Sequence, residues 1–131
     1  MKTVTVEQDI TFKATPKELY EALLNPKKHA AFTQSEVQIS DKEGADFTAY
    51  DGYIEGKNFE LKPYNKIVQI WKAYEAEWPD EHWSVIEFHL KEEDDKTHLH
   101  FVHKDLPEAV SDSIANGWYE YYWEPLKDYL D

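Results

Sequence analysis

The 131-residue chain has no cysteine. That excludes a disulfide scaffold, a thiolate metal site and a cysteine nucleophile, and it suits a reducing compartment. Long apolar runs are missing too. No segment approaches the ~20 residues needed to span a bilayer. The opening Met1-Lys2-Thr3-Val4-Thr5-Val6-Glu7 has no apolar signal core. The expectation is a cytoplasmic protein without membrane contact. Positive charge is scarce as well. Lys and Arg total 14 against 27 Asp and Glu, for a formal net charge of -13. Such a field repels phosphate backbones and anionic headgroups, which argues against nucleic acid and membranes as partners. Finally, there is no nucleophile elbow, phosphate-binding loop or His-Glu-x-x-His helix. No catalytic residue, metal site or cofactor is expected.

What the chain does have is aromatic residues crowded at one end. In Gly117-Trp118-Tyr119-Glu120-Tyr121-Tyr122-Trp123-Glu124-Pro125-Leu126, five aromatics fall within six positions. Something must cover or contact those rings.

The length suits one domain, residues 1–131, with a core that removes roughly two-thirds of the unfolded surface from water. Val4, Val6, Gln8, Ile10 and Phe12 alternate on one face of a strand. Thr15-Pro16-Lys17-Glu18 spells a capping box with proline at the first helical position. The helix it opens stops at Asn25-Pro26, and a short second helix is expected over Lys27–Phe32. Six strands follow, over Glu36–Ser40, Asp46–Tyr50, Tyr53–Leu61, Lys66–Tyr74, Trp83–Lys91 and Lys96–Lys104. Turn signals such as Asp51-Gly52 and Pro63-Tyr64-Asn65 separate them. A long helix over roughly 107–130 closes the chain, interrupted by Pro125. At 100° per residue, Val110, Ile114, Trp118, Tyr121, Tyr122, Leu126 and Tyr129 share one side of it. The economical packing is α+β, with a curved antiparallel sheet of six to seven strands wrapped around the C-terminal helix.

Several segments carry a family likeness. They are Phe12 through Leu19-Tyr20, Ala31-Phe32-Thr33, Gly44-Ala45-Asp46-Phe47 and Asp51-Gly52-Tyr53-Ile54-Glu55-Gly56. Further on come Ile67-Val68-Gln69-Ile70-Trp71-Lys72, Trp78-Pro79, Thr97, and Gly117-Trp118 with Tyr121-Tyr122. In this order and spacing the chain resembles the C-terminal domain of the activator of the heat-shock protein 90 ATPase, within the START-like helix-grip superfamily. The likeness runs from Ile10 to Leu130. It departs at Gly44-Ala45, where the family often has paired glycines. The resemblance implies a helix-grip fold and a non-catalytic, co-chaperone-like or stress-related binding role, with heat-shock protein 90 or another protein as partner.

Helix-grip folds often keep an apolar cavity between the long helix and the sheet. The candidates to line it are Trp71, Phe88, Phe101, His103, Trp118 and Tyr122. Either these rings fill the space as core, or they leave room for an apolar small molecule, which would make the protein a carrier or sensor. Tyr119 and Trp123 lie about 100–140° from Trp118 on an ideal wheel, so they are expected on the surface as partner-binding residues. The competing expectation is that they pack under the N-terminal strand or a loop.

His89, His98 and His100 share a sheet face with Glu87 if Glu92–Asp95 is a four-residue hairpin loop. Lys91 and Lys96 mark that face as the solvent side. His103 falls on the core side beside Ser84, as a satisfied structural histidine, a polar handle or a general base. The last option is the route by which the chain would be a helix-grip enzyme.

Overall fold

The computed structural model describes residues 1–131. It holds one six-stranded antiparallel sheet in the order β1-β6-β5-β4-β3-β2. The strands are β1 (Thr3–Phe12), β2 (Asp46–Ala49), β3 (Ile54–Lys62), β4 (Lys66–Ala73), β5 (Ser84–Glu93) and β6 (Lys96–Pro107). Helices α1 (Pro16–Leu24) and α2 (Pro26–Thr33) follow the first strand. The chain closes with α3 (Ser111–Trp118), a π-helical turn (Tyr119–Trp123) and α4 (Glu124–Leu130). This is the helix-grip arrangement, with a curved sheet around a long C-terminal helix.

Local chemistry explains most boundaries. The Thr15 hydroxyl accepts from the Glu18 amide at 3.1 Å, and the Glu18 carboxylate accepts in return from the Thr15 amide. Asn25 ends α1 and caps α2, its side-chain oxygen accepting from the Lys27 and Lys28 amides. Sheet and helices enclose a single apolar cluster that runs from Ile10 in β1 to Leu126 in α4.

Three expectations are corrected. Glu36–Ser40 is not a strand, because only Gln38 pairs, as an isolated bridge to Thr48. The sheet therefore has six strands. The β5–β6 hairpin turns on two residues, Asp94 and Asp95, both at positive φ (52° and 63°), rather than on four. Short polar side chains tolerate that left-handed backbone and allow the tightest hairpin. The register therefore moves by two, so His89 pairs with His100 and Lys91 with His98. Because side chains alternate with period two, a shift of two leaves every residue on its expected face. The C-terminal helix is also not one α-helix from 107, since β6 extends through Pro107 and a 3-10 turn over Glu108–Val110 precedes α3.

Gly56 marks the tightest approach in the sheet. A Cβ there would collide with the Ile70 carbonyl and come within 2.5 Å of the Phe47 ring. Overpacking of this kind costs about 1–3 kcal/mol or more. Gly56→Ala is therefore expected to lower the unfolding free energy by that amount, read as a drop in the midpoint of chemical denaturation at unchanged m. An unchanged midpoint would show that Phe47 yields without cost.

Candidate functional site

The six residues expected to line a cavity do come together. Trp118 lies at their centre, its ring 4.5 Å from Phe101, 4.8 Å from Tyr122 and 5.4 Å from Trp71. Phe88 packs on Phe101 at 5.2 Å, and His103 on Trp71 at 4.9 Å. All six are buried. The space left beneath them, against Leu23, Ile39 and Ile67, is about 10 Å³. That is at the limit of a single water, so this part of the interior is filled.

His103 is held in a polar chain inside this apolar packing. The Trp118 indole N–H donates to Nδ1 at 3.1 Å. Nε2 must then carry the proton, and it donates to the Ser84 hydroxyl at 2.9 Å. Ser84 donates onward to the Trp71 carbonyl at 2.7 Å. Each ring nitrogen is committed, so no lone pair is left to act as a general base. Burial pushes His103 down to about 3. Ser84 reaches it diagonally, since the residue paired with His103 is Ile86.

Trp123 is corrected outright. It is 1 % exposed, against 45 % for Tyr119. The wheel fails because the Glu124 amide donates five residues back, to the Tyr119 carbonyl. A π-turn holds one more residue than an α-turn, so positions 118 and 123, rather than 118 and 122 alone, face the sheet. The two indoles stack at 5.5 Å with planes 17° apart. Pro125 follows directly. It has no N–H for the Tyr121 carbonyl, and the Tyr50 hydroxyl donates to that oxygen instead.

Sequence reasoning missed two polar partners. Gln8 accepts from the Trp123 indole N–H at 2.7 Å and donates to the Ala115 carbonyl at 3.0 Å. Its signal was in view as the one polar member of the β1 core row. His29, in α2, donates from Nδ1 to the Leu23 carbonyl at 2.9 Å and accepts from the Tyr122 hydroxyl at 3.1 Å. Burial pushes it down to about 4.

The outer-face histidines are tied to carboxylates. His98 and His100 both bond Asp9 at 2.9 Å, and His89 bonds Glu87 at 2.8 Å. Hydrogen bonding to Asp9 raises His100 and lowers Asp9.

An open pocket of about 450 Å³ lies between the C-terminal helix and the sheet, and three of the six expected cavity residues, Trp71, Trp118 and Tyr122, are in its wall. Its walls are Tyr50 and Tyr53 from the β2–β3 connection, Trp71 from β4, Glu75 just beyond it, and Trp118 and Tyr121 from the C-terminal helix.

This geometry defines a START-like helix-grip domain. Over residues 13–131 the chain matches the family model described as "Activator of Hsp90 ATPase homolog 1-like protein", and it belongs to that family. A Dictyostelium discoideum protein named activator of 90 kDa heat shock protein ATPase homolog is 31% identical over 119 residues, which cover 89% of this chain and 30% of that protein. The human activator of 90 kDa heat shock protein ATPase homolog 1 is 27% identical, over 89% of this chain and 34% of its own length. An uncharacterized Schizosaccharomyces pombe protein is 28% identical over 97% of this chain and 37% of its own. The chain thus spans about a third of the length of the curated relatives it matches. In structure it resembles an HSP90 activator from Plasmodium falciparum, with TM-score 0.84, 21% identity and coverage of 92% of this chain and 91% of that one. It also resembles the Aha1 dimer of Colwellia psychrerythraea, with TM-score 0.80, 21% identity and coverage of 97% and 96%. No helix is long and apolar enough to cross a membrane.

Trp123→Ala is expected to destabilise the fold by about 3–5 kcal/mol, since it removes a buried indole and leaves the Gln8 side-chain oxygen without its donor. Thermal unfolding measures this, and a loss under about 1 kcal/mol would contradict the burial. The buried histidines add a pH dependence. Their folded values lie below the ordinary 6.5, so their stabilising contribution is full above pH 6.5. It is lost as pH falls toward 4 and 3, at about 1.4 kcal/mol per pH unit for each proton. His100, being raised, works in the opposite direction. His103→Gln should flatten the stability profile between pH 6.5 and 4. Profiles with the same slope would refute the neutral, buried state of His103.

Proposed function

We propose that the chain is a cytoplasmic, single-domain, non-catalytic binding module that engages heat-shock protein 90 and modulates its ATPase. The observation that carries this reading is the family match over residues 13–131, together with relatives named as activators of that ATPase. The chemistry of the interior supports it, because the two buried histidines that touch the helix, His29 and His103, each have both ring nitrogens committed.

The docking surface in this reading is the outward side of the C-terminal helix, where Tyr119 stands exposed beside Glu120 and Glu124. Trp123 takes no part, being core. An exposed tyrosine supplies contact area at little entropic cost. With a net charge of -13, attraction to a basic patch on the partner would speed encounter and weaken with salt.

The test is titration of the chain into heat-shock protein 90 from the same organism, reading ATP hydrolysis and binding heat together. A saturable change in hydrolysis is expected, with affinity falling several-fold as salt rises from low to physiological strength. Tyr119→Ala should weaken binding about tenfold while leaving the melting temperature in place. Absence of both binding and a rate change would overturn the reading.

A further inference from the structure

The open pocket beside the aromatic core has a chemical bias that the proposed chaperone role does not use. We propose that it is a binding site for a small organic cation, a protonated or quaternary amine carrying an apolar body. The proposal is independent of the chaperone reading.

Size and shape come first. About 450 Å³ is within the range of small-molecule sites, and the pocket is concave and mostly apolar. The polar interior of the fold is self-satisfied, with no buried side-chain nitrogen or oxygen lacking a partner. The pocket is therefore not needed to complete the core.

Its walls attract positive charge. Tyr50, Tyr53, Trp71, Trp118 and Tyr121 present rings around one space. The face of an aromatic ring carries negative electrostatic potential, and a desolvated cation over it is attracted. Glu75 is the only ionisable carboxylate in the lining, and no lysine, arginine or histidine lines the pocket to neutralise it. Lys72, close by in sequence, is engaged with Tyr74 and Trp83 at 5.3 Å from each ring.

Two of the pocket's hydroxyls, those of Tyr50 and Tyr53, select in the same direction. The Tyr53 hydroxyl donates its one proton to Oε1 of Glu75, and Tyr50 donates its proton to the Tyr121 carbonyl. A phenol has a single proton. What both oxygens can still offer a ligand is lone pairs. The second Glu75 oxygen likewise only accepts. An ammonium donates or is simply attracted, and it fits every one of these groups. A carboxylate or phosphate meets acceptors and a like charge. The field of a chain at -13 also concentrates cations at such a mouth.

Gly117 gives a way to close the site. It lines the pocket, and a Cβ there would meet only Tyr121, at an ordinary 3.7 Å. A larger side chain can therefore grow into the pocket without displacing backbone.

The experiment uses the full chain and three probes of similar size, namely benzyltrimethylammonium, benzyl alcohol and phenylacetate. Binding is read by tryptophan fluorescence, since Trp71 and Trp118 form part of the wall, and by calorimetry. The ammonium is expected to bind about tenfold more tightly than the alcohol, with phenylacetate weakest. Glu75→Gln should weaken the ammonium about tenfold and leave the alcohol unchanged. Gly117→Leu should abolish all binding, with thermal melting confirming an intact fold in both variants. Equal binding of ammonium and alcohol would overturn the proposal, as would preference for phenylacetate or no binding of the ammonium at millimolar concentration. Insensitivity to both substitutions would place the ammonium elsewhere and overturn it too.

Discussion

The stacking of Trp118 on Trp123 is the contact around which the rest of the protein is arranged. Two indoles five positions apart meet ring to ring only where the helix widens to a π-turn. That turn brings both rings onto Phe101, at 4.5 and 5.0 Å, and so onto the inner face of β6. Each indole N–H then needs an acceptor, since a buried unpaired donor costs about 1–3 kcal/mol. Gln8 supplies one from β1 and His103 the other from β6. These two hydrogen bonds join the C-terminal helix to neighbouring strands. They also account for two polar residues in rows that are otherwise apolar.

The same turn shapes the functional surface. Widening the helix moves Trp123 inward and leaves Tyr119 and Tyr121 outside. Pro125 follows and frees the Tyr121 carbonyl, which Tyr50 then reaches from across the pocket. The helix-grip interior is thereby filled beneath Trp118 and Tyr122, and the accessible volume lies between the C-terminal helix and the sheet, from Ile54 and Trp71 out to Tyr53 and Glu75. Core packing and pocket thus have a common cause in the local sequence from Trp118 to Pro125.

Features that depend on near neighbours in the chain were legible in the sequence. The capping box at Thr15 and Glu18, the stop at Asn25, the alternation of β1 and five of the six expected strands can all be read from short-range chemistry. So can the family. The β5–β6 register was displaced by two because Asp94 and Asp95 adopt left-handed backbone that acidic residues enter less often than glycine. Glu36–Ser40 has a strand's composition but only one partner bridge. Its loop is held instead by Asn58, which donates to the Ser40 and Lys42 carbonyls. The site suffered most from the assumed helical period, since one extra residue in a turn reverses the exposure of Trp123. Nothing local in Tyr119–Trp123 announces a π-turn. Its cause is tertiary, in the rings of the sheet that both tryptophans must meet.

Hydrogen exchange of the two indole N–H groups, followed by NMR in the native protein, tests the central claim most directly. The account predicts that the Trp118 and Trp123 indole protons exchange only through global unfolding, with protection matching the slowest backbone amides of β5 and β6. A Trp123 indole proton that exchanges at the rate of an exposed side chain would contradict it. It would return the C-terminal helix to a regular α-helical period, with Trp123 on the surface.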